Sequence, residues 1–115
     1  MRSAQQTAKN KATKLHSELV RARGQCEKCG STENLQCAHI ISRRYSHTRC
    51  RLDNAFCLCA GCHMRFTEWP LEFARFVQNT IGINGYMELK SISRRTDKVD
   101  WVAQLEFLRS ILQAT

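Results

Sequence analysis

Two Cys-x-x-Cys pairs, Cys26/Cys29 and Cys59/Cys62, bracket the chemically richest stretch of the chain, CEKCGSTENLQCAHIISRRYSHTRCRLDNAFCLCAGCH. Four thiolates in two such pairs can meet at the corners of one tetrahedron, the arrangement a structural Zn2+ requires. A shell closed by four sulfurs leaves no open position for water or substrate, so the ion would clamp and not catalyse. Between the pairs lie His39 in a hydrophobic segment, an arginine-rich loop and Asn54, and His63 follows the last cysteine directly. A lone histidine on a strand is most simply a core residue, but this one belongs to an ordered set.

The elements that must position these residues follow from local pattern. Residues 3–22 are good helix formers with no proline or glycine before Gly24. Leu15, Leu19 and Val20 give that helix a narrow apolar stripe, and Arg2, Lys9, Lys11, Lys14, Arg21 and Arg23 oppose a single acid, Glu18. It reads either as a solvated helix or as an arm lying along phosphates. Gly30 relaxes the turn of the first cysteine pair. Leu35 to Ile41 alternates, with Leu35, Cys37, His39 and Ile41 on one side, and predicts a short strand.

Residues 42–53 carry Arg43, Arg44, Arg49 and Arg51 with no acid before Asp53, and read as a loop that holds phosphate or is simply solvated. Ala55 to Leu58 is the returning strand. The second cysteine pair turns into a short helix beginning near Gly61, since Pro70 disfavours helical geometry at Trp69. Pro70 suits the first turn of a new helix that closes before Gly82, with Glu72 near its positive end. A break at Asn84-Gly85 leads to a helix over 86–94, and the last helix runs from Asp100, as N-cap, to Gln113. There, Trp101, Leu105, Leu108 and Leu112 fall at helical spacing and belong to the core.

At 115 residues the chain is most simply one domain, 1–115, with a basic N-terminal helix (1–24), a zinc-clamped core (25–69) and a helical C-terminal part (70–115). Hydrophobic residues at 43% and charged ones at 24% fit a folded domain and not a disordered one. Eighteen basic residues against ten acidic ones give +8, which points to a polyanion, nucleic acid before membrane. With no signal-like or membrane-spanning apolar run, the expected place is the cytoplasm. Seven cysteines in such a chain suit metal binding better than disulfides, and Cys37, Cys50 and Cys57 are left as small buried side chains.

Taken together, AHIISRR, TRCRLDN and LCAGCH resemble the HNH endonucleases of the His-metal finger superfamily, and are most similar to small HNH proteins of phages and prophages. The resemblance covers roughly residues 26–69. It implies an α+β fold with a small ββα-metal core carrying the four-cysteine zinc knuckle, flanked by the N-terminal and C-terminal helices. It also implies a metal-dependent DNA endonuclease in a bacterial or phage-infected cell, monomeric or homodimeric, and the sequence leaves RNA open as a substrate. His39 would be the general base, Asn54 the brace of its loop, and His63 the ligand of a catalytic divalent cation (Mn2+, Mg2+, Co2+ or Ni2+). Arg43 and Arg44 would hold neighbouring phosphates, with Arg49, Arg51, Lys9, Lys11 and Lys14 completing the nucleic-acid surface.

The chain departs from the family at Ala38, where many members carry an aspartate or histidine ligand, and at Thr67, where another ligand sometimes lies. His47 and Asp53 are the candidates to replace them. The competing reading is a zinc-stabilised DNA-binding module on the same scaffold that does not cut.

Overall fold

The computed structural model describes residues 3–114, so Met1, Arg2 and Thr115 of the expected 1–115 unit lie outside it. Helix α1 (Ala4–Arg21) begins at Ser3, whose side chain accepts from the Gln6 N–H. Strands β1 (Leu35–His39) and β2 (Ala55–Cys59) pair antiparallel, with Cys37 opposite Cys57 and His39 opposite Ala55. Helix α3 (Ala60–Glu68) leaves β2 directly, α4 (Pro70–Ser93) follows, and α5 (Trp101–Ala114) ends the described chain. The result is an α+β fold with a two-stranded sheet between two helical layers.

Period-two alternation assigns the layers. Ala55 and Cys57 of β2 pack with Val20 of α1, while Phe56 and Leu58 pack with Ala38, Phe66 and Val77 on the other face. Helices on both faces explain why β2 reads AFCLC without a polar residue. Phe56, Phe66, Phe73 and Phe76 form the ring cluster that seats α3 and α4, with Phe56 and Phe76 centroids 4.8 Å apart.

Several expectations need correction. Helix α1 is not merely solvated: Ala8, Ala12, His16 and Val20 line one buried face, and Ala8 and Ala12 pack on Trp101, Leu105 and Leu108 of α5. The loop 42–53 contains a helical turn, α2 (Ser46–Arg49), and a 3-10 turn, Leu52–Asn54. The expected break at Asn84-Gly85 falls instead at Gly82, whose φ of 75° and ψ of 166° kink α4. That left-handed φ costs glycine little, whereas Asn84 and Gly85 continue the helix. Asp100 does cap α5, its Oδ1 accepting from the Ala103 N–H at 3.2 Å. No helix among the described residues is long and apolar enough to cross a membrane.

Candidate metal centre and histidine site

Glu27 brings the first cysteine pair to the second. Its N–H donates to the Cys57 carbonyl at 2.8 Å and its carboxylate accepts from the Cys57 N–H at 2.6 Å, docking residues 26–29 on the free edge of β2. Arg23 holds the same edge, donating to the Ala55 carbonyl at 2.9 Å and the Leu52 carbonyl at 2.7 Å. The Sγ atoms of Cys26, Cys29, Cys59 and Cys62 then lie within 4.8 Å of one another. Those of Cys29 and Cys59 are 3.7 Å apart, close to the ~3.8 Å edge of a tetrahedron with 2.3 Å metal–sulfur bonds and far from a disulfide. The Cys29 and Cys62 N–H groups donate to the sulfurs of Cys26 and Cys59.

The four thiols do not ionise alike. Burial pushes the Cys26 thiol up, but backbone donors at Cys59, Cys29 and Lys28 together outweigh it and bring it to about 6. Burial, then hydrogen bonding among the cysteines, pushes Cys62 up to about 12. A site that holds one thiolate easily and resists further ones is completed by a soft cation. These residues could hold a structural metal such as zinc.

His39 closes β1. Its Nε2–H donates to the Arg49 carbonyl at 2.9 Å; a carbonyl only accepts, so Nδ1 carries the lone pair. Burial lowers its pKa from the usual value, the Arg49 bond partly opposes this, and Arg43, Arg49 and His63 lower it further. His39 is therefore neutral near pH 7.

Asn54 is fully buried and spends its side chain on one loop. Its Nδ2 donates to the carbonyls of Ile41 (3.1 Å) and Thr48 (3.0 Å), and Oδ1 accepts from the Ile41 N–H at 2.8 Å. The Thr48 carbonyl so held is the neighbour of the Arg49 carbonyl that fixes His39.

His63 lies in the first turns of α3. Its Nδ1–H donates to Gln36 Oε1 at 2.6 Å, which turns Nε2 away from Gln36. The role of Gln36 had no sequence signal beyond its place in the strand alternation. Ala38, on the same face of β1, is 2% exposed and packed among Phe56, Leu58 and Phe66.

Comparison with family models, with curated proteins and with solved structures finds no match to this chain.

The remaining sequence candidates divide. Arg43 and Arg44 are exposed on the loop, Arg44 over the Tyr45 ring, and Lys11 and Lys14 are exposed on α1. Lys9 instead sits 5.5 Å over the Trp101 ring. Arg49 donates to Thr13 and to the Arg43 carbonyl, and Arg51 forms a two-pronged pair with Asp53 at 2.9 Å. Their guanidinium groups are committed within the protein.

His47 donates to the Asp97 carbonyl at 2.7 Å and Asp53 pairs with Arg51, and among the described residues neither joins His63 in a group of three ligand atoms. Among the described residues no group of three His, Cys, Asp or Glu ligand atoms forms around His63. Cys50 and Cys57 are buried as small side chains. Cys37 instead faces a residue that sequence reasoning passed over, His16 of α1.

Proposed function

We propose that this chain hydrolyses phosphodiester bonds in DNA, as an HNH-type endonuclease whose ββα-metal core is clamped by a structural Zn2+ on Cys26, Cys29, Cys59 and Cys62. The observation that carries the reading is Asn54. A buried asparagine that spends its hydrogen bonds on the loop holding a half-exposed neutral histidine is an expensive device for a passive core residue. It is well spent where a ring must be kept in one orientation.

In this reading Nδ1 of His39 takes the proton from the water that attacks phosphorus, the bond to the departing 3′ oxygen breaks, and that oxygen takes a proton from solvent. The lowered pKa keeps that nitrogen free near neutral pH. Arg43 and Arg44 hold flanking phosphates. Asn54 acts through geometry and transfers no proton. His63, turned by Gln36, offers Nε2 as one ligand. One imidazole does not by itself make a divalent-cation site.

The buried Ala38 and the single ligand at His63 favour the second reading, a zinc-stabilised DNA-binding module that does not cut. A supercoiled-plasmid assay with Mn2+, Mg2+, Co2+ and Ni2+ separates the two. The nuclease reading expects nicking that His39→Ala lowers by about 10²–10⁴-fold while zinc content and DNA binding persist. Its rate should rise with pH and level off below the ordinary imidazole pKa of about 6.5. Firm DNA binding with no nicking under any of the four cations would select the second.

A further inference from the structure

His16 is 1% exposed, and its Nε2–H donates to the Arg51 carbonyl at 2.8 Å. Because that carbonyl only accepts, His16 Nδ1 keeps its lone pair, and it lies 4.0 Å from Cys37 Sγ. His39 repeats the arrangement, with Nε2–H on the Arg49 carbonyl and the lone pair on Nδ1. The two rings stand 5.3 Å apart, and one ligand atom from each of His16, Cys37 and His39 lies within 4.8 Å of the others. An imidazole whose second nitrogen donates to a backbone carbonyl is how metal-binding histidines are ordinarily oriented. Here two such rings flank one thiol.

We infer that His16, Cys37 and His39 form a three-coordinate site for a soft monovalent cation, Cu(I). Bonds of about 2.0–2.3 Å would set the three ligand atoms roughly 3.7 Å apart, so closure needs shifts of no more than about 1 Å. A thiolate with two imidazoles selects copper or zinc over magnesium, calcium or manganese.

Charge and ligand number decide between copper and zinc. The strongest full charges on Cys37 are Arg23 and Arg21, and on His39 they are Arg43 and Arg49. A thiolate and Cu(I) sum to zero, whereas Zn2+ would leave a net positive charge beside those guanidinium groups. Three protein ligands complete a trigonal Cu(I) shell, whereas Zn2+ would need a water as its fourth ligand. On binding, the Cys37 S–H bond breaks, a Cu–S bond forms, and the proton leaves to solvent.

The site takes the lone pair of His39. Resting on the nuclease reading, the consequence is that bound Cu(I) silences the base, making copper an inhibitor of nicking.

The test titrates zinc-loaded full-length protein with Cu(I), without oxygen, against a chromophoric Cu(I) chelator while released zinc is followed. One Cu(I) per chain should enter without zinc release, and copper-edge X-ray absorption should show one sulfur and two imidazole nitrogens. Cys37→Ala, a small change at a half-buried position, should weaken uptake by at least about 100-fold, beyond what loss of an outer-shell partner costs. Should that variant fail to fold, His16→Gln, which can still donate to the Arg51 carbonyl, should show the same loss. Undiminished uptake in a folded variant, or copper that enters only as zinc leaves, would overturn the site. Uptake is read without activity, so a chain that binds copper in this way yet never nicks DNA keeps the site and loses only the nuclease reading.

Discussion

Asn54 and Ile41 are joined by a closed pair of hydrogen bonds, the Ile41 N–H donating to Oδ1 at 2.8 Å and Nδ2 donating back to the Ile41 carbonyl at 3.1 Å. The backbone continues the contact, the Ile40 N–H donating to the Asn54 carbonyl at 2.9 Å. An asparagine side chain thus imitates the next rung of the β1–β2 ladder and holds the loop where β1 ends.

Asn54→Ala strands three buried backbone groups, each costing about 1–3 kcal/mol. We expect a loss of roughly 3 kcal/mol or more in urea unfolding. Asn54→Asp should fare no better, because a carboxylate would face the Ile41 and Thr48 carbonyls that the amide now serves. An Asn54→Ala protein as stable as the parent would mean that the loop is held by other contacts.

Zinc should be present at one equivalent per chain. Structural zinc contributes on the order of 10–16 kcal/mol in small modules, more than the 5–15 kcal/mol net stability of most domains has to spare. Cys59→Ser, or removal of the metal by a chelator, should therefore unfold the protein, as read by circular dichroism. Carefully purified native material without zinc in elemental analysis would defeat this expectation.

Burial holds the His16 pKa at about 4, against the ordinary imidazole value of about 6.5; the Arg51 carbonyl opposes that shift, while His39 and the nearby arginines add to it. The folded state binds this proton less readily than the unfolded one, so stability should fall as pH drops from about 6.5 towards 4. The His16 contribution is then roughly 3 kcal/mol, lost progressively as pH falls from about 6.5 through about 4. His16→Gln should flatten the pH dependence of the urea midpoint across that window. Zinc loss in acid acts on both proteins alike, so the difference between their curves carries the result, and parallel curves would refute it.

DNA binding should be non-specific and salt-dependent, with a log–log slope near −5 if about six phosphates are met. Arg43→Ala with Arg44→Ala should make the slope shallower by about two. Arg51→Ala should leave it unchanged, because that guanidinium is engaged with Asp53. A slope near zero for the parent protein would remove nucleic acid as the reason for the +8 charge.

What the sequence determined by itself is whatever neighbouring residues decide. The spacing of the cysteine pairs, the alternation through Leu35–His39, proline at the start of α4 and the Asp100 cap are each set within a few residues. The buried face of α1 escaped because two of its members are alanines, too weakly hydrophobic to stand out among lysines, although Ala8, Ala12, His16 and Val20 recur every fourth residue.

Only the tertiary structure decided the partners of the histidines. Gln36 meets His63, and His16 meets Cys37 and His39, across separations that no local pattern records. Arg51 and Asp53 are adjacent enough to have been paired from the sequence, but whether a surface arginine serves a phosphate or its neighbour depends on which way the backbone turns it. Side-chain chemistry is written in the chain; the lone pair it leaves free is settled by the carbonyl that the fold brings to the other nitrogen.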